Sequence, residues 1–419
     1  MNPEAIEGHF KLVLVQWMVI IAAAWALGRL ARRFGQPLVV GEILAGILLG
    51  PSLLGLIWPA HWPVLFPSET QQSLQVLGKI GLIFLLFQVG MEIDFSHIRS
   101  MSRSRTVLAV SMMGMAVPFL GGLAIGPWLH DRFAPLTPLF GFQFFLCISL
   151  SITALPVLAR ILLEMKLERT QIGAMSISAA AIDDVAGWIL LGVATTMVTS
   201  NFSIGHLAFQ LAGILAFYLF LQRMIGPWFR QLWRESRSRS MDDPLPHSLL
   251  ALLLTGLFAS ALITHELGIF TIFGAFLFGV CLHQETGLVK AWRDRFSDVI
   301  FVAFVPVFFT NTGLNTNIGL LKTPETWLAC VLVLLTAVAG KLGGCYWGAR
   351  AAGQRPREAG CIAAFMNTRG LMALIAINIG LDMTLLTPAL YTMLIIMTLL
   401  TTAMCGPLLR RWLPRDQLT

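Results

Sequence analysis

Charge is scarce in this chain. Asp, Glu, Lys and Arg supply 12% of its 419 residues and apolar types 56%, whereas a soluble globular domain carries about 25% charged residues. That shortage excludes a soluble fold, and the net charge of +7 then marks where loops lie rather than a nucleic-acid surface. Cysteine is sparse as well. The six (Cys147, Cys281, Cys330, Cys345, Cys361, Cys405) all sit in apolar stretches, and none has metal-ligand spacing, which excludes a disulfide framework and a zinc site. They read as small buried apolar side chains. No basic region precedes the first apolar run, so no cleavable signal peptide is expected and the first span acts as its own insertion signal. No long polar segment follows the last apolar run. The tail R-R-W-L-P-R-D-Q-L-T is too short for a soluble regulatory domain, and no cofactor is expected.

Long apolar runs are what the chain does have. A helix needs about 20 residues to cross the hydrocarbon core. Thirteen candidates lie near 11–30, 38–57, 72–91, 105–127, 138–162, 171–199, 205–222, 247–265, 268–285, 297–314, 325–350, 359–380 and 387–409. Spans 8 and 9 are nearly fused at His265-Glu266-Leu267-Gly268. Loop charge tests this count. With the N-terminus outside, 23 of the 29 Lys and Arg fall on the inner side, and only Lys11, Arg132 and Lys322 on the outer. This is the positive-inside asymmetry. The reading is an all-α polytopic membrane protein of about thirteen transmembrane helices, N-terminus out and C-terminus in. The longest loop, near 223–246, carries five arginines and connects two halves on the inner side. Lys79, near the outer end of span 3, can snorkel. Lys341 and Arg369 cannot easily do so.

Two spans look interrupted. Span 5 contains S-I-T-A-L-P-V-L-A-R, with Pro156 after Ser151 and Thr153; span 12 contains F-M-N-T-R-G-L-M-A-L, with Asn367, Thr368, Arg369 and Gly370. Unwound backbone at membrane depth is tolerated only inside protein or beside a water-filled cavity. A simple proline kink is the alternative for span 5. It fits span 12 less well, because a full charge sits in that break. The two spans are seven apart, so they cross in opposite directions, as do spans 4 and 11 and spans 6 and 13. This is the parity of inverted repeats, in which two discontinuous helices cross near the midplane. Arg369 is then placed to offset the partial negative charge of half-helix C-termini.

The strongest signal is S-I-S-A-A-A-I-D-D-V-A-G-W in span 6, where Asp183 and Asp184 stand side by side. An ionisable group at membrane depth costs roughly 2.5 kcal/mol or more, and its default reading is a functional site. The pair lies about 20 Å from the inner end of its span and Lys341 about 14 Å from the inner end of span 11, at 1.5 Å per residue. A lysine side chain covers most of that difference. Adjacent residues on a helix point about 100° apart, so one aspartate can pair with Lys341 while the other faces a cavity. The alternative is a structural salt bridge plus one protonated carboxyl. Weaker polar signals are Glu42 and Glu92 near inner span ends, His265 and His283 near span ends, and Gln88, which suits a bond across helices. Solvated helix ends and interfacial histidines explain the first four.

Over its whole length the chain resembles the monovalent cation/proton antiporter superfamily. The branch is that of the plant cation/proton exchangers, the glutathione-gated (Kef-type) potassium efflux systems and bacterial sodium/proton antiporters. The resemblance rests on P-L-V-V-G-E-I-L-A-G-I-L-L-G-P, G-L-I-F-L-L-F-Q-V-G-M-E-I-D, I-T-A-L-P-V-L-A-R-I-L, A-A-A-I-D-D-V-A-G-W, I-F-G-A-F-L-F-G, V-F-F-T-N-T-G-L and N-T-R-G-L-M-A-L-I-A-I-N-I-G. It implies a dimerisation sub-bundle (about 1–100 and 245–320), an ion-transporting core (about 104–200 and 324–412) and a linking helix and loop (about 203–244). It implies that Asp184 binds cation or proton in alternation, a transient Na⁺ or K⁺ site, and that Asp183 pairs with Lys341. Three features depart from the family. There is no glutamine before the aspartate, as in the efflux systems, and no asparagine there, as in many plant exchangers. Ala373 stands where the second broken helix often carries an acid.

The function expected is secondary antiport of Na⁺ or K⁺ against H⁺ by alternating access, electrogenic, in a homodimer of a bacterial inner (plasma) membrane. It is not an enzyme, and its partners are the monovalent cation, H⁺ and membrane lipid, with no nucleic acid. The alternatives are the same fold exporting another cation or an organic substrate, or a gated potassium efflux pathway. An intramembrane aspartyl protease needs its two aspartates on different helices, which adjacent Asp183 and Asp184 do not provide.

Overall fold

A computed structural model describes residues 3–92, 105–165, 167, 170–199, 204–239, 245–267 and 271–413. Among these the chain is helical: α1 (Pro3–Arg33), α2 (Leu38–Leu49), α3 (Ser68–Glu92), α4 (Arg105–Phe133), α5 (Leu139–Ser151), α6 (Leu155–Glu164), α7 (Gln171–Thr199) and α8 (Ile204–Phe220). A π turn, Leu221–Ile225, leads into α9 (Gly226–Arg239). Then come α10 (His247–Glu266), α11 (Thr271–Leu282), α12 (Thr286–Val299), α13 (Val305–Leu314), α14 (Pro324–Ala351), α15 (Pro356–Met366), α16 (Leu371–Asp382) and α17 (Pro388–Trp412). Among the described residues ten helical stretches are long and apolar enough to cross a membrane. Large apolar side chains also lie on the outside, among them Met112 at 70% and Phe209 at 68% exposed. The protein is an integral membrane protein. Residues 240–244 of the long loop and Gly268 of the join between spans 8 and 9 lie outside the described residues.

Two compact units emerge from the packing: Met1–Ile21, Ser68–Phe95 and Thr195–Phe308 in one, and Ala22–Pro67, Ser96–Ala194 and Phe309–Thr419 in the other. In the first, glycines set the helix spacing. A Cβ on Gly90 of α3 would lie 2.4 Å from the Phe276 carbonyl of α11, and one on Gly279 of α11 would lie 2.2 Å from that of Phe87. Phe87 stacks on Phe278 with centroids 5.4 Å apart and meets Trp292 edge-on at 4.8 Å. Gln88 donates to Glu92 at 3.0 Å and, across to α12, to Ser297 at 3.1 Å.

The second unit holds the interrupted helices. At 1.5 Å per residue, α5 with its 13 residues and α6 with its 10 reach about 20 and 15 Å, and each is too short to cross about 30 Å of hydrocarbon alone. The break between them is Ile152–Thr153–Ala154. Pro156 falls in the first turn of α6, where a missing N–H costs no hydrogen bond. It therefore starts a half-helix rather than kinking a continuous one. α15 and α16 repeat the pattern around Asn367, Thr368, Arg369 and Gly370.

Another glycine register brings α4 against α14. Gly340, Gly344 and Gly348 recur every four residues. Cβ atoms there would lie 2.7 Å from Pro118 Cα, 2.4 Å from the Met113 carbonyl and 2.6 Å from the Ala109 carbonyl. Small residues at this spacing let membrane helices pack at backbone distance.

Candidate functional site

The two breaks meet. The Ala154 N–H donates to the Thr368 carbonyl at 3.2 Å, and a Cβ on Gly370 would sit 2.6 Å from Val157 Cγ2. The crossing brings together the ends of four half-helices, and the charged side chains sort themselves onto those ends.

The C-terminal end of α5 is capped by two cations. Arg369 is wholly buried and donates through its guanidinium to the carbonyls of Ser149 at 2.7 Å and of Leu150. Lys341 Nζ, also wholly buried, donates to the Ser151 carbonyl at 2.6 Å. Carbonyls at a helix C-terminus lack intrahelical partners and carry the negative end of the helix dipole. A break in the membrane leaves them far from water, and the two cations take the place of water.

The same ammonium reaches Asp183 Oδ2 at 2.8 Å, with both side chains 0% exposed. Asp183 is held from three elements. Lys341 grips it from α14, Thr153 Oγ1 from the first break donates to Oδ2 at 2.9 Å, and Ser111 Oγ from α4 donates to Oδ1 at 2.6 Å. Thr153 Oγ1 also lies 3.1 Å from the Met366 carbonyl that ends α15.

Asp184, one residue on, points elsewhere, as the 100° step of a helix requires. It is 6% exposed. The backbone of Leu155, the first residue of α6, hydrogen-bonds it, so the carboxyl sits at a half-helix N-terminus, where an anion is favoured. Its Oδ1 is buried and has no hydrogen-bond partner among the described residues. Both oxygens of Asp183 accept hydrogen bonds, whereas Asp184 keeps one oxygen without a partner among the described residues.

The second break is held by α17. Thr402 Oγ1 accepts from the Arg369 N–H at 3.1 Å, and Asn367 Nδ2 donates to the Thr401 carbonyl at 3.3 Å. Asp183, Asp184, Lys341, Thr153, Asn367, Thr368, Arg369 and Gly370 thus converge on one crossing, with the backbone of Pro156 just beyond it. The sequence reading did not single out Ser111, the Ser151 carbonyl, Thr401 or Thr402. Only the four-residue glycine spacing on α14 offered a signal, because it aligns α4 with Lys341. Three weaker signals lie apart from the crossing. Glu42, read as a solvated helix end, is 7% exposed, because Gly46 and Gly313 bring α2 and α13 to backbone contact. His265 is exposed, and His283 sits 2.6 Å from the Val280 carbonyl.

Comparison with known proteins points the same way. The transmembrane sodium/hydrogen exchanger profile matches residues 18–414. A protein of Synechocystis sp., the Na⁺/H⁺ antiporter NhaS4, is 36% identical over 96% of this chain and 97% of its own length. Cation/H⁺ antiporter 20 of Arabidopsis thaliana is 35% identical over 95% of this chain. The match covers 48% of that relative, so the chain spans about half its length. The solved structure of the sodium proton antiporter MjNhaP1 from Methanocaldococcus jannaschii superposes with a TM-score of 0.69 over 96% of this chain and 97% of that one, at 14% identity. The fold is shared although few residues are.

Proposed function

Because this chain belongs to the sodium/hydrogen exchanger family, we propose that it is a secondary active antiporter that exchanges Na⁺ or K⁺ for H⁺ by alternating access. One observation carries the reading. Asp184 is a buried carboxylate with an oxygen that has no partner among the described residues, set where two broken helices cross and beside a carboxylate whose two oxygens both accept hydrogen bonds. A group in that position must be neutralised before it can cross a low-dielectric layer. Either a proton or a monovalent cation supplies the positive charge, and a carboxylate neutralised by one has no charge left to hold the other. Competition for Asp184 is therefore the coupling step. Asp183 and Lys341 hold the crossing together, and Arg369 offsets the carbonyl ends of α5.

The transporting core comprises α4–α7 and α14–α17. The dimerisation bundle comprises residues 1–100 and 245–320, joined to the core by the helix and loop of 203–244. The protein works as a homodimer in a bacterial inner membrane, N-terminus out. The loop-charge asymmetry supports this orientation, and the matched interruptions in α5–α6 and α15–α16 support the inverted repeat.

The test is proton flux in liposomes containing the purified protein, with Na⁺, Li⁺, K⁺ and Rb⁺ offered in turn. Flux that starts on addition of Na⁺ or K⁺ and vanishes in empty liposomes is expected. Flux that ignores all four cations, in protein shown to be folded, would overturn the assignment.

A further inference from the structure

We propose that Ser111 is a positioning residue for the exchange reaction. Its hydroxyl holds Asp183 in the bridge to Lys341 and so keeps a second carboxylate away from the cation on Asp184. The inference rests on the reading of Asp184 as the exchanging group.

The geometry is specific. Asp183 Oδ2 has two donors, Lys341 and Thr153, whereas Oδ1 has one, Ser111 at 2.6 Å. Ser111 is 2% exposed. Its place is set by the α4–α14 contact, in which Gly340, Gly344 and Gly348 of α14 meet the backbone of α4. Gly114, one turn along α4 from Ser111, leaves room for Cys345 and Lys341. A Cβ there would lie 2.4 Å from Cys345 Sγ and 3.8 Å from Lys341 Nζ. α4 and α14 therefore present Ser111 and Lys341 to Asp183 from one packed pair of helices. A movement of Asp183 away from the α4–α14 pair breaks both bonds together.

Asp183 and Asp184 are adjacent, and a cation bound to Asp184 attracts both carboxylates. What opposes the swing of Asp183 is its present set of donors. Removing the Ser111 hydroxyl leaves Oδ1 buried and unpaired while the bridge is intact, and an unpaired buried acceptor costs more than the bond itself was worth. Binding the cation relieves that cost, because Oδ1 can then join the ion. The empty state is raised relative to the bound state, so Ser111→Ala tightens cation binding. It also slows release, since the ion leaves two carboxylates instead of one.

The experiment measures apparent KM and maximal rate in proteoliposomes with Na⁺, and again with K⁺, for wild type, Ser111→Ala, Ser111→Cys and Ser111→Thr. Ser111→Ala is expected to lower KM about tenfold, which corresponds to ~1.4 kcal/mol, with a lower maximal rate. Ser111→Thr keeps the hydroxyl and is expected to return KM toward wild type, with Ser111→Cys, a weak donor, between them. Ser111→Ala with KM unchanged or raised would overturn the proposal, since a residue that only supports folding lowers the rate without tightening binding. If Ser111→Ala does not fold, cation-induced thermal stabilisation of the Cys and Thr variants over a Na⁺ series decides: tighter binding in the Cys variant supports the tether, and equal binding sinks it. Asp184→Asn is run in parallel. Exchange that survives it defeats the antiport reading itself, whereas an unchanged KM in Ser111→Ala with Asp184→Asn inactive defeats only the tether.

Discussion

Lys341→Ala should destabilise the protein strongly, and Asp183→Asn introduced with it should recover much of the loss. At 2.8 Å two unit charges attract by ~6 kcal/mol at an effective dielectric of about 20. Taking both out of water costs several kcal/mol each, so the intact pair contributes little net stability. Deleting one partner is a different matter. Lys341→Ala leaves Asp183 charged at 0% exposure and removes the donor to the Ser151 carbonyl, for an expected loss of about 3–5 kcal/mol. Asp183→Asn removes the stranded charge, and its amide oxygen can still accept from Ser111 or Thr153. The double variant should therefore be more stable than Lys341→Ala alone, with a coupling energy of about 2 kcal/mol or more. Residues in direct contact show coupling of roughly 0.5–3 kcal/mol. The assay is thermal unfolding of the purified protein in a fixed detergent–lipid mixture, for all four members of the cycle. Melting shifts that add to within about 0.5 kcal/mol would refute the reasoning, because independent sites add and a buried ion pair does not.

The charged centre was legible from the sequence because charge inside an apolar run is a one-dimensional signal. Asp183, Asp184, Lys341 and Arg369 each break a hydrophobic stretch, and no packing argument requires them there. The interruptions were legible for the same reason, and so was the register of the second, Asn367 to Gly370, but the register of the first was not. Pro156 marked span 5, yet the unwound residues are Ile152–Ala154, and the proline opens the following half-helix. Composition shows that a helix is interrupted, whereas the residue at which it unwinds depends on what caps the loose ends. Here the caps are Arg369, 220 residues from Ser149, and Lys341, 190 residues from Ser151. Ser111 was illegible. One hydroxyl in A-V-S-M-M resembles any membrane serine, and its meaning comes from a contact across 72 residues. Glu42 is buried because Gly46 on its own helix packs against Gly313 on a distant one, and sequence position near a span end says nothing about that contact.

Asp184→Asn should abolish cation-dependent proton flux in liposomes while insertion and melting stay near wild type, since an amide neither titrates nor balances a cation; flux near the wild-type rate would refute this. Gly344→Ala should cost about 1–3 kcal/mol through overpacking, because its Cβ would meet the Met113 carbonyl at 2.4 Å, whereas Gly343→Ala, with nothing within 4 Å, should be neutral or slightly stabilising; melting temperatures that do not separate the two would show that α4 and α14 are not in backbone contact. Exchange should also be electrogenic. If a cation on Asp184 sets a second positive charge beside the buried Lys341 ammonium, that like charge favours the neutral amine while Asp183 stays on Ser111 and Thr153. The Lys341 proton then leaves with that of Asp184, so two protons move against one monovalent cation and one net charge crosses per cycle. Each such charge couples the cycle to the membrane potential by about 2.3 kcal/mol per 100 mV. Proteoliposomes clamped with a potassium-independent voltage should therefore shift both the rate and the final cation distribution with the imposed potential. A distribution that ignores voltage would mean that Lys341 keeps its proton throughout, that only Asp184 titrates and that exchange is one for one.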